Sequence, residues 1–145
     1  MEYNMTGTSI LFPIVALVLW TLFMGVWTMF LRIPAIIKMR MRLDPAAPRG
    51  EQMNQLPPHV RWKADNLNNL IEQPTLFYAI LLVLAVSGKS TEFHLTLAWT
   101  YVGLRVVHSL IQALVNIVRL RFAAFLLGSV VLVILTTNTL LAIAK

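Results

Sequence analysis

The stretch SILFPIVALVLWTLFMGVWTMFL, residues Ser9–Leu31, decides the class of fold. Its 23 residues include no charged side chain. A helix needs about 20 apolar residues to cross the hydrocarbon core of a bilayer, so the stretch predicts a membrane-spanning helix. A second uncharged run of 23 residues, Phe122–Ala144, predicts another span near the end of the chain. No basic residue precedes the first run, which is also longer than a signal-peptide core, so we interpret it as a retained span.

The composition agrees with an integral membrane protein. Of 145 residues, 58% are hydrophobic and 12% are charged, whereas soluble domains carry about 25% charged residues. A chain in lipid must satisfy its backbone hydrogen bonds internally, which favours helices. We therefore predict one all-α membrane domain, residues 1–145, built as a four-helix bundle. The predicted spans are about 9–37, 65–88, 95–118 and 122–144, and the second carries Glu72 into or against the membrane.

One long polar loop, about residues 38–60, separates the first two spans and is broken by four prolines. Basic residues concentrate in this loop, at its edges and in the third connector: Lys38, Arg40, Arg42, Arg49, Arg61, Lys63, Arg119 and Arg121. The opposite side carries only Lys89 and Lys145. The positive-inside rule then predicts a cytoplasmic long loop with both termini outside. Attraction to anionic headgroups explains the net charge of +6, and we expect no nucleic-acid partner because no aromatic platform accompanies the charge.

Polar side chains recur along one face of the third span. They follow steps of three and four residues: Tyr101, Arg105, His108, Ser109, Gln112, Asn116 and Arg119. At helical spacing, those from Arg105 onward fall within an arc of about 100°. The other faces are apolar, so this span is predicted to turn its polar row inward. Arg119 is interpreted as a headgroup anchor.

Arg105 needs a partner, because an arginine at the centre of a membrane helix costs at least about 2.5 to 3.5 kcal/mol. Glu72 is the acidic residue nearest the hydrocarbon region. The sequence therefore predicts an ion pair between Arg105 and Glu72, within one subunit or between subunits. A structural pair and a direct ligand role both remain open.

The second span opens with a dense polar patch at helical spacing: Arg61, Asp65, Asn68, Asn69 and Glu72. Arg61 can pair with Asp65 one turn later. Pro74 follows the patch and removes one backbone donor, which loosens the helix beside Glu72. Such a break indicates either a cavity or a simple turn at the membrane interface.

Metal and hydrolase chemistry have little support. His108 has no second histidine, cysteine or carboxylate at ligand spacing, so we expect no metal and a neutral imidazole that hydrogen-bonds a helix or a ligand. There is no glycine-rich phosphate loop and no serine–histidine–aspartate pattern. The chain also has no cysteine, so any thiol chemistry must use a thiol brought by a ligand.

The order of these features resembles the MAPEG family, the membrane-associated proteins in eicosanoid and glutathione metabolism. The matching motifs are Asn69-x-x-Glu72 with nearby Pro74, Arg105-x-x-His108, and Arg121 thirteen residues after the histidine. The resemblance covers nearly the whole chain and is greatest to bacterial members. It implies a homotrimeric bundle in a bacterial inner membrane.

The resemblance also implies a glutathione site between subunits. Asn69 and Glu72 would bind the peptide, and His108 and Gln112 would line the pocket. Arg121 would lie near the sulfur as the catalytic residue, where a guanidinium favours thiolate over thiol. Glutathione's carboxylates would suit the bidentate geometry of Arg40 or Arg42.

Five positions differ from the pattern of characterised members of the family: Asp65, Leu67, Asn68, Gln112 and Phe122. The changes at Asp65 and Asn68 lower the local positive charge and leave open whether glutathione binds. Our first hypothesis is a glutathione-dependent transferase or peroxidase acting on lipophilic electrophiles or lipid hydroperoxides. The alternative is a non-catalytic membrane module that presents a lipophilic ligand to a partner. A transporter subunit is a third hypothesis, which the fading of the polar row toward the outer end disfavours.

Overall fold

A computed structural model describes residues 9–48 and 50–144. Arg49 and Lys145, which enter the orientation prediction, lie outside the described residues, as do residues 1–8. The described part is all-helical and forms four rods, as the sequence predicts. Their bounds are α1 Phe12–Lys38, α2 Pro58–Glu72 with α3 Pro74–Ser87, α4 Glu92–Leu110 with a π-helical segment Ile111–Val115, and α5 Val118–Ile143.

The second rod is longer than the predicted span. Gln73 has helical angles, φ −67° and ψ −38°, so α2 and α3 join into one rod of 30 residues. The rod begins at Pro58, within the predicted loop. Proline suits the first turn of a helix, where its missing N–H has no intrahelical partner, and this explains helix starts at both Pro58 and Pro74.

Local sequence signals also set the helix ends. Thr91 caps α4 in a reciprocal capping box with His94. Gly88 ends α3 in the left-handed conformation, with φ 65°. The turn after α1 places Arg40 at φ 48°, a conformation that few non-glycine residues adopt.

The last two rods are joined by a very short connector. The π-helical segment ends at Asn116, whose φ is 50°, and α5 begins at Val118. Arg119 and Arg121 therefore lie in the first turn of α5 rather than in a connector before it. The left-handed residue reverses the chain at positions 116 and 117, whereas the predicted spans leave residues 119–121 between them.

Three rods are long and apolar enough to cross a membrane: Phe12–Lys38, Pro58–Ser87 and Val118–Ile143. The α4 rod falls short because its polar row lowers its hydropathy. Large apolar side chains cover the outside of the bundle, with Val86 89% exposed and Phe30 75% exposed. Surfaces of this kind need lipid or another protein chain rather than water.

Inside the bundle, α1 packs mainly on α2, and α4 packs mainly on α5. The core includes Leu17, Leu81 and Leu84, all fully buried. Phe77 stacks on Tyr101 with 4.5 Å between ring centroids. This apolar contact lies at the Tyr101 end of the polar row.

Candidate functional site

A ladder of hydrogen bonds joins α2 to α4 inside the bundle. We call it the polar ladder. Its members are Lys63 Nζ to Ala113 O at 2.8 Å, Asn66 Nδ2 to Ser109 Oγ at 2.7 Å, Asn69 Nδ2 to Gln112 Oε1 at 2.9 Å, and Arg105 Nη2 to Asn69 O at 3.1 Å. Lys63–Ala113, Asn66–Ser109 and Asn69–Arg105 rise along α2 as they fall along α4, so the two helices run antiparallel. Asn69 also reaches back toward the end of the third rod to bond Gln112. The face that the sequence predicts to be buried is therefore the face that α2 covers.

The end of α4 explains the first rung of the ladder. The π-helical segment closes with Asn116 N donating to Ile111 O at 2.7 Å. Carbonyls in the last turn of a helix have no intrahelical donor, and a cation there also complements the helix dipole. Lys63, only 7% exposed, supplies that cation to Ala113 and also lies over the Trp27 ring at 5.2 Å.

Arg105 is the most unusual residue of the site. Its side chain is 1% exposed, and its guanidinium lies over the rings of Tyr101 at 5.7 Å and Phe125 at 5.6 Å. One N–H reaches the Asn69 carbonyl, while Nε and Nη1 are buried without a hydrogen-bond partner. An arginine offers five donors. The site therefore holds a buried cation with unused donors.

His108 and Arg121 lie near this cation. His108 is 4% exposed, and its ring packs on Phe125 at 6.0 Å. It lies within electrostatic range of both Arg105 and Arg121. The half-buried Arg121 donates from Nη1 to Asn116 Oδ1 at 2.7 Å, so the left-handed turn that ends the third rod also orients this guanidinium. Two cations, Arg105 and Arg121, thus act on the His108 ring.

The structure thus brings together five of the residues that the sequence analysis names: Asn69, Arg105, His108, Gln112 and Arg121. Gln112 is 2% exposed, and Asn69 is half-buried. Together they offer amide, imidazole and guanidinium donors. This donor set is suited to an anionic or peptide-like ligand.

The other named residues lie elsewhere. Glu72 is exposed, and it forms no ion pair with Arg105 inside the chain, where the guanidinium donates to a backbone carbonyl instead. The pair between Arg105 and Glu72, which could also form between subunits, stays a prediction. Arg40 and Arg42 are also exposed, in the turn that follows α1. The pair that Arg61 could form with Asp65 is not formed either, because Arg61 donates to Asn54 O at 3.1 Å instead.

Sequence reasoning missed Lys63 and Asn66, which are both buried. A signal for them exists. The apolar stripe Phe77, Leu81 and Leu84 extends backward at helical steps through Leu70 to Asn66 and Lys63. The positive-inside rule assigns Lys63 to the headgroup region, and this interpretation conflicts with the periodicity of the stripe.

Among residues 9–48 and 50–144, no group of three histidine, cysteine, aspartate or glutamate side chains could hold a metal ion. Comparison with known proteins gives one match. A family model described as the MAPEG family matches residues 10–141, nearly the whole chain. No curated protein matches the chain, and no solved structure does.

Proposed function

The chain belongs to the MAPEG family, and from that premise we propose that it binds glutathione and delivers the thiol to lipophilic electrophiles or lipid hydroperoxides. Family membership and three spanning helices make it an integral membrane protein of glutathione and eicosanoid metabolism. The glutathione site, the reaction and the homotrimer belong to the proposal. So do the bacterial inner membrane and the orientation with both termini outside.

The observation that carries the proposal is the pair of unpartnered donors on Arg105. A buried cation without an anion is costly in a bilayer. Glutathione has two carboxylates, and a guanidinium binds a carboxylate through two parallel hydrogen bonds. A glutathione carboxylate bound along one edge of the guanidinium would satisfy Nη1 or Nε, both of which are buried without a partner, together with the second N–H of Nη2. This assignment gives Arg105 a ligand role in addition to its bond to α2.

Arg121 is the residue we propose for activating the sulfur. Glutathione supplies the nucleophile, since the chain has no cysteine. A guanidinium beside a thiol stabilises the thiolate, which is the reactive form. Arg121 uses Nη1 to bond Asn116, and this bond holds the group in one orientation while its other donors stay available. His108 would line the same wall as a neutral imidazole.

The exposed residues of the predicted site fit a homotrimer. Glu72, Arg40 and Arg42 lie on the surface of the chain, where an interface with another copy would let them reach a ligand bound between subunits. In the proposed trimer, Asn69 and Gln112 line the pocket from inside one subunit. Arg40 or Arg42 would bind a second carboxylate, and Glu72 would bind the amino group.

Titration of detergent-solubilised protein with glutathione tests the proposal. We expect saturable binding accompanied by ultraviolet absorbance of the thiolate. Arg121→Ala should abolish the thiolate signal, and Arg119→Ala is the matched control because Arg119 is an exposed arginine in the same helical turn. Turnover is then measured with a chlorodinitrobenzene electrophile and with cumene hydroperoxide. No binding at millimolar glutathione would refute the proposal.

One observation favours the non-catalytic alternative. The amide of Asn69 already bonds the amide of Gln112, so two residues of the proposed pocket satisfy one another without a ligand. A module that presents a lipophilic ligand to a partner would not need to open this bond. It would keep a bound lipid through purification and turn over neither model substrate, and mass spectrometry of the purified protein distinguishes the two functions.

A further inference from the structure

A polar cavity of about 280 Å³ lies apart from the polar ladder. It is enclosed by the second half of α1, the long loop and the first turns of α2. Its charged and amide side chains are Arg32, Asn54, Arg61, Asp65 and Asn68. The two arginines oppose one carboxylate, so the lining carries net positive charge.

Both arginines have weak or incomplete protein partners. Arg32 Nε donates to the thioether sulfur of Met53 at 3.3 Å, and a thioether is a poor acceptor. Arg61 donates from Nη1 to Asn54 O, while its Nε is buried without a partner. Two guanidinium groups thus reach one cavity with most of their donors unmatched by strong acceptors. An oxyanion is the ligand that such a donor set recognises.

An apolar groove of about 710 Å³ continues from this cavity. The two share Met29 and Leu67 as lining residues. From the level of Arg32, which lines the cavity, to Thr21 at the far end of the groove, α1 rises about 16 Å at 1.5 Å per residue. One leaflet of a bilayer has a hydrocarbon depth of about 15 Å, so the groove matches the reach of an acyl chain.

We propose that this cavity and groove form a binding site for one anionic phospholipid. The phosphate lies between Arg32 and Arg61, and an acyl chain occupies the groove. The charge of the cavity and its continuity with an apolar groove of leaflet length select an amphipathic anion over a soluble one. The site does not involve the polar ladder, but its lining includes Asp65, Leu67 and Asn68, three of the positions that differ from the family pattern.

Gly25 keeps the groove open. A β-carbon at this position would meet Leu67 Cδ1 at 3.9 Å, an ordinary van der Waals contact. A larger side chain would therefore project into the groove without colliding with backbone. Gly25→Leu is the variant that fills the acyl site and leaves the arginines in place.

Native mass spectrometry of delipidated protein in non-ionic detergent tests the site. The probes are dioleoylphosphatidylglycerol, dioleoylphosphatidylcholine and soluble glycerol 3-phosphate. Wild-type protein should bind one phosphatidylglycerol at least tenfold more tightly than phosphatidylcholine. Arg32→Gln and Arg61→Gln should each weaken phosphatidylglycerol binding about tenfold, the scale of one charge-assisted hydrogen bond. Gly25→Leu should weaken binding of both phospholipids.

Arg119→Gln is the matched control, because Arg119 is an exposed arginine that does not line the cavity. Equal loss in this variant would overturn the proposal, since it would show diffuse attraction to basic residues. Equal affinity for the two phospholipids, or displacement by glycerol 3-phosphate at similar concentration, would also overturn it. So would a Gly25→Leu protein that dissociates into monomers with unchanged lipid selectivity, because the groove would then hold a second copy of the chain. Circular dichroism confirms that each variant is folded.

Discussion

Replacing Arg105 with methionine separates a ligand-binding arginine from a structural one. The substitution Arg105→Met removes the charge and keeps a long, flexible side chain in the same space. In the described chain the guanidinium has one hydrogen bond, to Asn69 O, two aromatic contacts and two unpartnered donors. Its role is therefore decided by what the unpartnered donors bind.

The expected change in stability follows from these contacts. A hydrogen bond from a charged donor contributes about 1.5 to 3 kcal/mol, and each of the two ring contacts about 0.5 to 1 kcal/mol. Against this, methionine avoids the cost of about 2.5 to 3.5 kcal/mol for a charge inside the membrane. The terms largely cancel, so the free energy of unfolding without ligand should change by no more than about 2.5 kcal/mol.

Thermal unfolding in detergent, followed by tryptophan fluorescence, gives the readout with and without glutathione. At ten times its dissociation constant, glutathione should stabilise the wild-type protein by about 1.4 kcal/mol. Arg105→Met should lose that stabilisation, whereas Arg119→Met should keep it. The ligand-free measurement needs no assumption about the reaction.

A loss of about 3 to 5 kcal/mol without ligand would refute this reasoning, since that is the cost of breaking a buried ion pair. Arg105 would then have a counter-ion from another subunit. Glu72→Gln should reproduce the loss in that case, and a double-mutant cycle would measure the coupling between the two residues. Glu72 is exposed in the chain, so only an interface could supply it.

Three other expectations concern the ladder and the orientation. Lys63→Met should lower the free energy of unfolding by about 1.5 to 3 kcal/mol because it removes a charged donor from a helix end, and Lys63→Arg should recover part of the loss in the same unfolding assay. Ser109→Ala should cost about 1 to 3 kcal/mol by leaving Asn66 unpaired, whereas the double variant with Asn66→Leu should cost less than the single one; the opposite order would show that the bond does not matter. Because the chain lacks cysteine, Glu51→Cys should be labelled by an impermeant maleimide only in inverted vesicles and Lys89→Cys only in intact cells, and reversed labelling would contradict the predicted orientation.

The parts of the fold that depend on hydropathy could be predicted from the sequence. The uncharged runs Ser9–Leu31 and Phe122–Ala144 correspond to spanning helices. This follows because a helix forms all its backbone hydrogen bonds within itself, and lipid offers no other partners for them. The inward orientation of Tyr101, Arg105 and Gln112 is also confirmed by their burial. Periodicity predicts a face well when the helix around it is apolar.

The partners of the buried polar groups could not be predicted in the same way. Arg105 bonds the carbonyl of Asn69, and Lys63 bonds the carbonyl of Ala113. Backbone acceptors carry no residue type, so a search among acidic side chains leads to Glu72 instead. The early start of α5 has a similar cause, because Asn116 adopts a left-handed conformation that its side chain permits but does not require.

The polar ladder has a consequence for how the helices find their vertical alignment. In lipid, contacts between apolar side chains differ little in energy from one neighbour to another. Apolar surfaces alone would therefore let two helices shift along each other. A shift of one turn, about 5.4 Å, would break four hydrogen bonds together. It would leave without acceptors the donors of Lys63, Asn66, Asn69 and Arg105. The ladder therefore fixes the register of α2 and α4 along the membrane normal. It also keeps the unpartnered donors of Arg105 at a constant depth in the bilayer.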